Sequence, residues 1–522
     1  MIIGSNKDIS WGVTTENGDL IDICEEKIED NYYIFDGKKY KIVETEEIIE
    51  IKDEKPEIIN VRWTRSGPLI NKVVKQFIKM DMDLNYDIPL SIKINSYLYD
   101  FTSFSYYFKA NYASDPKMLM EDSEKFMSSN FHIVWASKTD IGYYPLGKFQ
   151  VKNYGKRFCK GHSSKDEVTK ILKKTELPIL RNPKKGFIVT ANNRMTNFNF
   201  TYNIKGYHNH VRAYRIREMI EEKIKNLEKF DVKDNIKIIQ DQKDALASVI
   251  LPQLLHIFER NRINKQKNID KNINSYLEKL KNWDFVLNKN STEATIYSVL
   301  EYNMGKQLFG KKISDESAKG QLNMISYWNF ISGIINKIYQ NEEIELNQCA
   351  YVGGSKNCEK YFISIFNNLD EYLTEYKDVN GNIKKWGDVL FLDFPHLTFD
   401  KIPLLNLFFS RKVPSGGNRN TINFARVDYT STKGDFVATN SANYKMICDM
   451  ANPTEPYVIL NTGNSGNVLS NFYDNFIKRN IDGDLIKFKN IDFKDYQKAD
   501  RNTIVFTPNF PNKEYDIKKN NK

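Results

Sequence analysis

Long apolar runs are missing from this chain. No stretch approaches the ~20 consecutive apolar residues of a membrane-spanning helix, so none is expected. The opening Met1-Ile-Ile-Gly-Ser-Asn has no basic segment followed by an apolar run and does not read as a secretory signal. Cysteine is scarce, five in 522 residues. None has CxxC spacing, which excludes the common zinc frameworks. An odd count leaves at least one thiol unpaired. Cys349 and Cys358 flank Gly353-Gly354 and could pair locally, but five reduced thiols is the favoured reading. Histidine is equally sparse, with six. His208 and His210 share a face if extended, yet no third ligand sits at a known spacing. HExxH, GxSxG, a Walker loop and a helix-opening GxGxxG are all absent. Gly353-Gly354-Ser355 and Gly463-Asn464-Ser465-Gly466 read as turns, because neither leads convincingly into a helix that would cradle phosphate.

A strong excess of either charge is missing as well. Lys and Arg number 76 against 67 Asp and Glu, a net charge of +9. The basic runs at 152–165, 260–281 and 518–522 read as solvated faces. Aromatics are not interleaved at a stacking spacing in the helical run, so no nucleic-acid partner is expected.

What the chain does have is aromatics, 30 Tyr and 32 Phe, enough to build a core where a disordered chain could not. Residues 11–70 pattern as strands. Tyr32-Tyr-Ile-Phe before Asp36-Gly37 predicts a hairpin. Phe131–Ala136 and Ile141–Gly147 predict a strand pair, and 160–185 reads as a Lys- and Ser-rich loop. Gly186-Phe-Ile-Val-Thr-Ala reads as a short strand buried on both faces. Val211 to Leu227 follows a helical period, as does Ala245 to Phe258, where Pro252 predicts a kink or break. Lys265 to Lys281 is polar, and 291–345 reads as further helix. Strands return after Tyr376, near 423–428 and 457–460. Strand, helix and strand in blocks imply an α+β fold. The parts are a β-rich 1–205, a helical 206–375, a strand-rich 376–495 and a polar tail, 496–522.

Two short tracts carry candidate chemistry. Asp19-Leu-Ile-Asp22 places two carboxylates around a backbone carbonyl, a set that suits a hard cation such as calcium; the plainer reading is a solvated turn. Ala191-Asn192-Asn193-Arg194 ends an apolar run in two amides and a guanidinium. An Asn there can donate to a developing oxyanion; the plainer reading is an Asx turn.

Taken together, the tracts resemble the catalytic β-chain of the penicillin acylase (penicillin amidase) family of N-terminal nucleophile hydrolases. Ile9-Ser-Trp-Gly-Val-Thr-Thr with its trailing Asp19 and Asp22 resembles the family's Trp-Gly-x-Thr segment. Val61-Arg-Trp-Thr-Arg-Ser-Gly-Pro resembles its Thr-x-His-Gly-Pro turn, with Ser66 in place of the usual His. Gly186 to Arg194 is close to its most recognisable motif, and Arg212-Ala-Tyr-Arg-Ile-Arg resembles its arginine-rich helix. Val413-Pro-Ser-Gly-Gly-Asn, Ser441-Ala-Asn-Tyr-Lys-Met and Thr462-Gly-Asn-Ser-Gly resemble its tail. The resemblance runs over about 4–495.

It implies a four-layer αββα sandwich and hydrolysis of linear amides through an acyl-enzyme on an N-terminal Ser. The implied oxyanion donors are the Asn192 side chain and the Thr15 backbone N–H, with Arg212 ordering the site. Asp19, the Ile21 carbonyl and Asp22 match calcium ligands of some members, although the family's later carboxylate ligand is not evident; Asn197 and Asn199 stand in that stretch. No organic cofactor is implied. The partners expected are an acyl-amide substrate and an α-chain equivalent. In the family the nucleophile lies several dozen residues before Trp-Gly-x-Thr, so it is expected to be missing here, and the chain alone is expected to be inactive. Ser5, in Gly4-Ser5-Asn6, is the alternative nucleophile. A secretory, extracellular or lysosome-like compartment is what the family suggests. A different class of reading remains open: a non-catalytic remnant that binds acyl amides or a protein.

Overall fold

The computed structural model describes residues 2–71, 88–94, 103–121, 123, 126, 129–152, 158–196, 200–202, 208–265, 270–309, 359–428 and 436–489. Its organising element is an antiparallel five-stranded sheet, in the order Gly4–Ser5, Ile9–Thr15, Phe131–Ser137, Ile141–Leu146 and Leu180–Arg181. The predicted pair is present, with Phe131 opposite Leu146 and Ala136 opposite Ile141. One face of this sheet buries Ile9, Trp11, Ile133, Trp135 and Tyr144 against the short helices Ser103–Asn111 and Pro116–Glu121. Burying side chains of this size contributes roughly 1.5–3 kcal/mol each.

Beside it lies a smaller sheet in which Ile21–Glu25 pairs antiparallel with Leu90–Ile94 and parallel with Cys159–Lys160. Alternation along Ile21–Glu25 turns Asp22 and Cys24 inward, and Glu26 just beyond is also buried. A strand with a polar inward face is held by specific bonds in place of apolar packing. Cys24 and Cys159 form a disulfide across the parallel pair. This corrects the expectation of five free thiols: the partners lie 135 residues apart in sequence, so no local spacing betrays them. A closed loop of that length stabilises the fold by ~2–5 kcal/mol. Cys448 is free, and Cys349 and Cys358 lie outside the described residues.

The Asp36-Gly37 hairpin forms between Tyr32–Phe35 and Lys38–Lys41. Both turn residues have positive φ, 45° and 77°, as a type I′ turn requires. Three expectations give way. The 160–185 stretch is not a plain loop: it holds the strands Val168–Ile171 and Leu180–Arg181. Gly186 to Thr190 forms no strand; Gly186 is exposed and Phe187 to Thr190 are half-buried, with the Lys185 ammonium 4.8 Å from the Phe187 ring centre. A short apolar run does not by itself specify a ladder partner. Pro252 does not break its helix, which runs Ala245–Lys265. Leu251 and Leu254 on either side are wholly buried, and that packing outweighs the lost backbone bond.

The helices Val211–Lys225, Ala245–Lys265, Lys271–Lys281, Thr292–Phe309 and Glu359–Asn367 share one large core with the strands Leu390–Phe394, Ala425–Asp428 and Phe436–Ser441. Lys271–Lys281, within a stretch that reads as merely polar, is amphipathic and buries Ile273, Tyr276, Leu277 and Leu280. Residues 310–345 lie outside the described residues. A buried polar knot pins the second half to the first. Asp244 caps the Ala245 helix, accepting from the Leu246 and Ala247 N–H groups at 2.8 and 3.1 Å. Its other oxygen accepts from Asn418 and Asn420 at 2.8 and 3.1 Å. Gly417 makes this turn, with φ +82° and a Cβ there only 2.6 Å from the Asn423 carbonyl oxygen. Burial pushes the Asp244 carboxyl up, and Glu301 beside it well up. No described helix is long and apolar enough to cross a membrane.

Candidate active site

The site forms at the end of the Ile9–Thr15 strand. In an antiparallel pair, hydrogen-bonded and non-bonded positions alternate. The Glu16 N–H donates to the Asn130 carbonyl at 2.9 Å, in register with Thr15 opposite Phe131. Even-numbered residues therefore direct their backbone groups toward Phe131–Ser137, and odd-numbered residues toward the opposite side. There Gly4–Ser5 covers only Trp11 and Ser10. Thr15 lies beyond that cover, so among the described residues no strand pairs with its N–H and carbonyl on that side.

Asn192 meets that edge. Its Nδ2 donates to the Thr15 carbonyl at 2.8 Å, and its Oδ1 accepts from Arg212 Nη2 at 2.6 Å. The guanidinium has donors only, so it must face the amide oxygen, which turns the amide nitrogen toward Thr15. The bond is charge-assisted and polarises the amide further. The backbone of Asn192 is held just as closely. It takes φ +63°, and its carbonyl accepts from the Asn209 N–H at 3.0 Å. The Ala191 N–H donates to Asn193 Oδ1 at 2.8 Å, a bond running back along the chain and not the Asx turn, whose side-chain oxygen accepts from the N–H two residues on. Asn209 Oδ1 accepts from the Val211 N–H at 3.0 Å, which opens the Val211–Lys225 helix and places Arg212 in its first turn. The Arg212 guanidinium also lies 5.1 Å from the Phe424 ring centre.

The structure thus brings Thr15, Asn192 and Arg212 together across separations of 177 and 20 residues. It does not bring Ser5 to them. Ser5 pairs with Ser10, five residues up the strand from Thr15, which is ~17 Å away at strand rise. Ser5 instead lines an apolar cavity of about 530 Å³ with Tyr444, Met446, Val458, Ile459 and Phe476. That cavity lies at the far end of the strand from the donors.

Beneath the donors is a polar layer that the sequence reading missed. Glu16 is 4% exposed and meets His208 Nε2 at 2.9 Å. A Cβ on Gly18 would stand 2.6 Å from the other Glu16 oxygen and 2.9 Å from Asn130 Nδ2, so only glycine fits. His132 Nδ1 lies 3.0 Å from the Tyr143 hydroxyl. Burial, with His208 nearby, pulls His132 down to about 3. His210 falls to about 4 through burial, then His208 and Arg194. Both are neutral at pH 7. His208 thus serves a hydrogen bond, and among the described residues no group of three metal-type ligands exists. The signal for Glu16 was its place directly after Thr15, where a carboxylate ends a buried strand.

The two carboxylates read as calcium ligands face a lysine. Lys152 Nζ lies 2.8 Å from Asp22 and 3.4 Å from Asp19. The Ile21 side chain is exposed and its backbone is in register with Ile94. Asn197 and Asn199 lie outside the described residues.

Comparisons with known proteins bear on the fold and the family. A solved thermostable penicillin G acylase from Alcaligenes faecalis superposes with a TM-score of 0.64 at 15% identity, covering 98% of this chain and 90% of that one. The two chains therefore share one α+β fold. Residues 1–492 match the penicillin amidase family, and the chain belongs to that family. Curated relatives include the acyl-homoserine lactone acylase QuiP of Pseudomonas fluorescens, 21% identical over 499 residues, and that of Pseudomonas syringae pv. tomato, 22% over 505. These alignments cover 91% and 92% of this chain but 58% of each relative. The chain thus spans little more than half the length of the curated relatives it matches.

Proposed function

We propose that this chain is the donor-bearing part of an amidohydrolase that cleaves the linear amide bond of N-acylated small molecules. The observation that carries the proposal is the Arg212–Asn192–Thr15 constellation, in which an amide nitrogen bonded to the Thr15 carbonyl and the Thr15 backbone N–H meet at a sheet edge with no further strand among the described residues. A scissile carbonyl set there places its oxygen against both donors. A serine hydroxyl then adds to the carbon, its proton passing to the α-amine of the same residue. The C–O bond forms as the carbonyl π pair moves onto oxygen, where the two donors stabilise it. Collapse expels the amine with that proton and leaves an acyl ester, which water hydrolyses. The attacking residue in this reading is the N-terminal Ser of the family and not Ser5, which sits too far up the strand. The names of the relatives supply two substrate classes to try, acyl-homoserine lactones and penicillin G. We further propose the four-layer αββα order for the whole domain; the helices packed on one face of the five-stranded sheet support it.

The test is turnover by the protein expressed from its complete reading frame. Amine release from an N-acyl panel, with a pre-steady-state burst showing the acyl-enzyme, is the expected result. Binding of acyl amides with no amine release would contradict the proposal and favour the binding-module reading.

A further inference from the structure

The cation expected between Asp19 and Asp22 is already part of the chain. Lys152 is the last residue of the Gln150–Lys152 strand. Where that strand meets Val168–Ile171 the register shifts, Val151 opposing Lys170 and Lys152 opposing Val168. Such an irregularity re-aims a side chain. Only 3% of the Lys152 side chain is exposed, against 8% for Asp22 and 38% for Asp19. A long ammonium side chain is rarely buried this far unless it is paired, and here it reaches both carboxylates. Calcium needs six to eight oxygen ligands, and a divalent ion at this position would lie within a few ångströms of a fixed positive charge. The residues present do not fit a metal.

We propose that Lys152 is a tethered replacement for a divalent cation, so that the turn from Gly18 to Asp22 is held by an internal ion pair and needs no metal. The ammonium offers three donors to the two carboxylates. It ties the segment that follows Thr15 to the strand that precedes Cys159. Asp22 and Cys24 sit on one face of their strand, so the ion pair and the disulfide fasten the same two stretches of chain, one ionically and one covalently. This inference is independent of the proposed activity, because it is read from stability and ion binding alone.

The experiment is thermal unfolding of the unmodified protein with millimolar calcium or excess EDTA, together with Lys152→Met and the Lys152→Met/Asp22→Asn double variant. The parent is expected to melt at one temperature under both conditions and to give no terbium luminescence from a bound ion. Lys152→Met is expected to melt lower and to recover part of the loss with calcium. The double variant is expected to regain stability without calcium, since removing both partners of a buried pair costs less than removing one. A parent stabilised by calcium or weakened by EDTA would overturn the proposal. So would a Lys152→Met variant that melts like the parent, or one that melts lower and ignores calcium. If Lys152→Met does not fold, the calcium, EDTA and terbium results on the parent decide by themselves.

Discussion

Two corners flank the same short stretch of chain, Thr15 to Asp22, and they are built in opposite ways. At the Thr15 corner the polar groups are neutral, an amide and a backbone N–H. Arg212 holds the far side of the amide, and the near side gives one of its two N–H groups to the Thr15 carbonyl. At the Asp22 corner two carboxylates, Asp22 turned inward and Asp19 part-exposed, are matched by the Lys152 side chain. The first arrangement keeps donor capacity for something that arrives from outside. The second satisfies its charges within the fold. Polar residues at a strand end are therefore no guide to function until their partners are known. An amide positioned by a guanidinium marks a site, whereas carboxylates closed over an ammonium mark a staple.

The comparison can be broken at either corner. The largest effect expected is on stability at the staple. Lys152→Met strands the Asp22 carboxylate in a buried position, and urea unfolding should show a loss of ~3–5 kcal/mol. A loss below ~1 kcal/mol would make this an ordinary surface pair. At the donor corner, Arg212→Leu should leave the fold intact but release the Asn192 amide. Losing one charged hydrogen bond of ~1.5–3 kcal/mol predicts a tenfold to hundredfold lower kcat in the complete protein. An unchanged kcat would make Arg212 a structural residue only.

A smaller effect is the acid sensitivity of the layer under the donors. His132 and His210 titrate near 3 and 4 in the fold, below the ordinary imidazole value near 6.5. The unfolded chain therefore binds more protons between those limits. Their contribution is full above pH ~6.5 and is lost as pH falls toward 4 and then 3. Asp244 and Glu301, raised by burial, act in the opposite sense, so the parent alone does not isolate the histidines. Comparing parent with His210→Asn does. The variant should have a shallower fall in unfolding free energy between pH ~6.5 and 4, by at most ~1.4 kcal/mol per pH unit. Parallel curves would show that His210 is not held neutral.

The meeting of Thr15, Asn192 and Arg212 was legible because they lie in short ordered motifs: Trp11-Gly-Val-Thr-Thr, Ala191-Asn192-Asn193-Arg194 and Arg212-Ala-Tyr-Arg. The hairpin at Asp36-Gly37 and the pairing of Phe131 with Leu146 were legible from turn chemistry and alternation. The staple was not. Lys152 opens a basic run that, averaged over its length, reads as a solvated face. Its burial follows from strand pairing that no local pattern encodes. Cys24 and Cys159 escaped for the same reason, and Glu16 with His208 joins residues 192 apart. Gly186 to Thr190 failed differently: its composition suits a buried strand, but no ladder partner meets it among the described residues.

The central claim is that the Asn192 amide and the Thr15 N–H hold the developing oxyanion. The most direct measurement is the steady-state kinetics of Asn192→Ala beside the parent, in the complete protein and with the best substrate of the N-acyl panel. The account predicts kcat lower by about 10²–10³ with KM little changed, since this donor acts in the transition state. A kcat within about twofold of the parent, in a variant with parental stability, would contradict it.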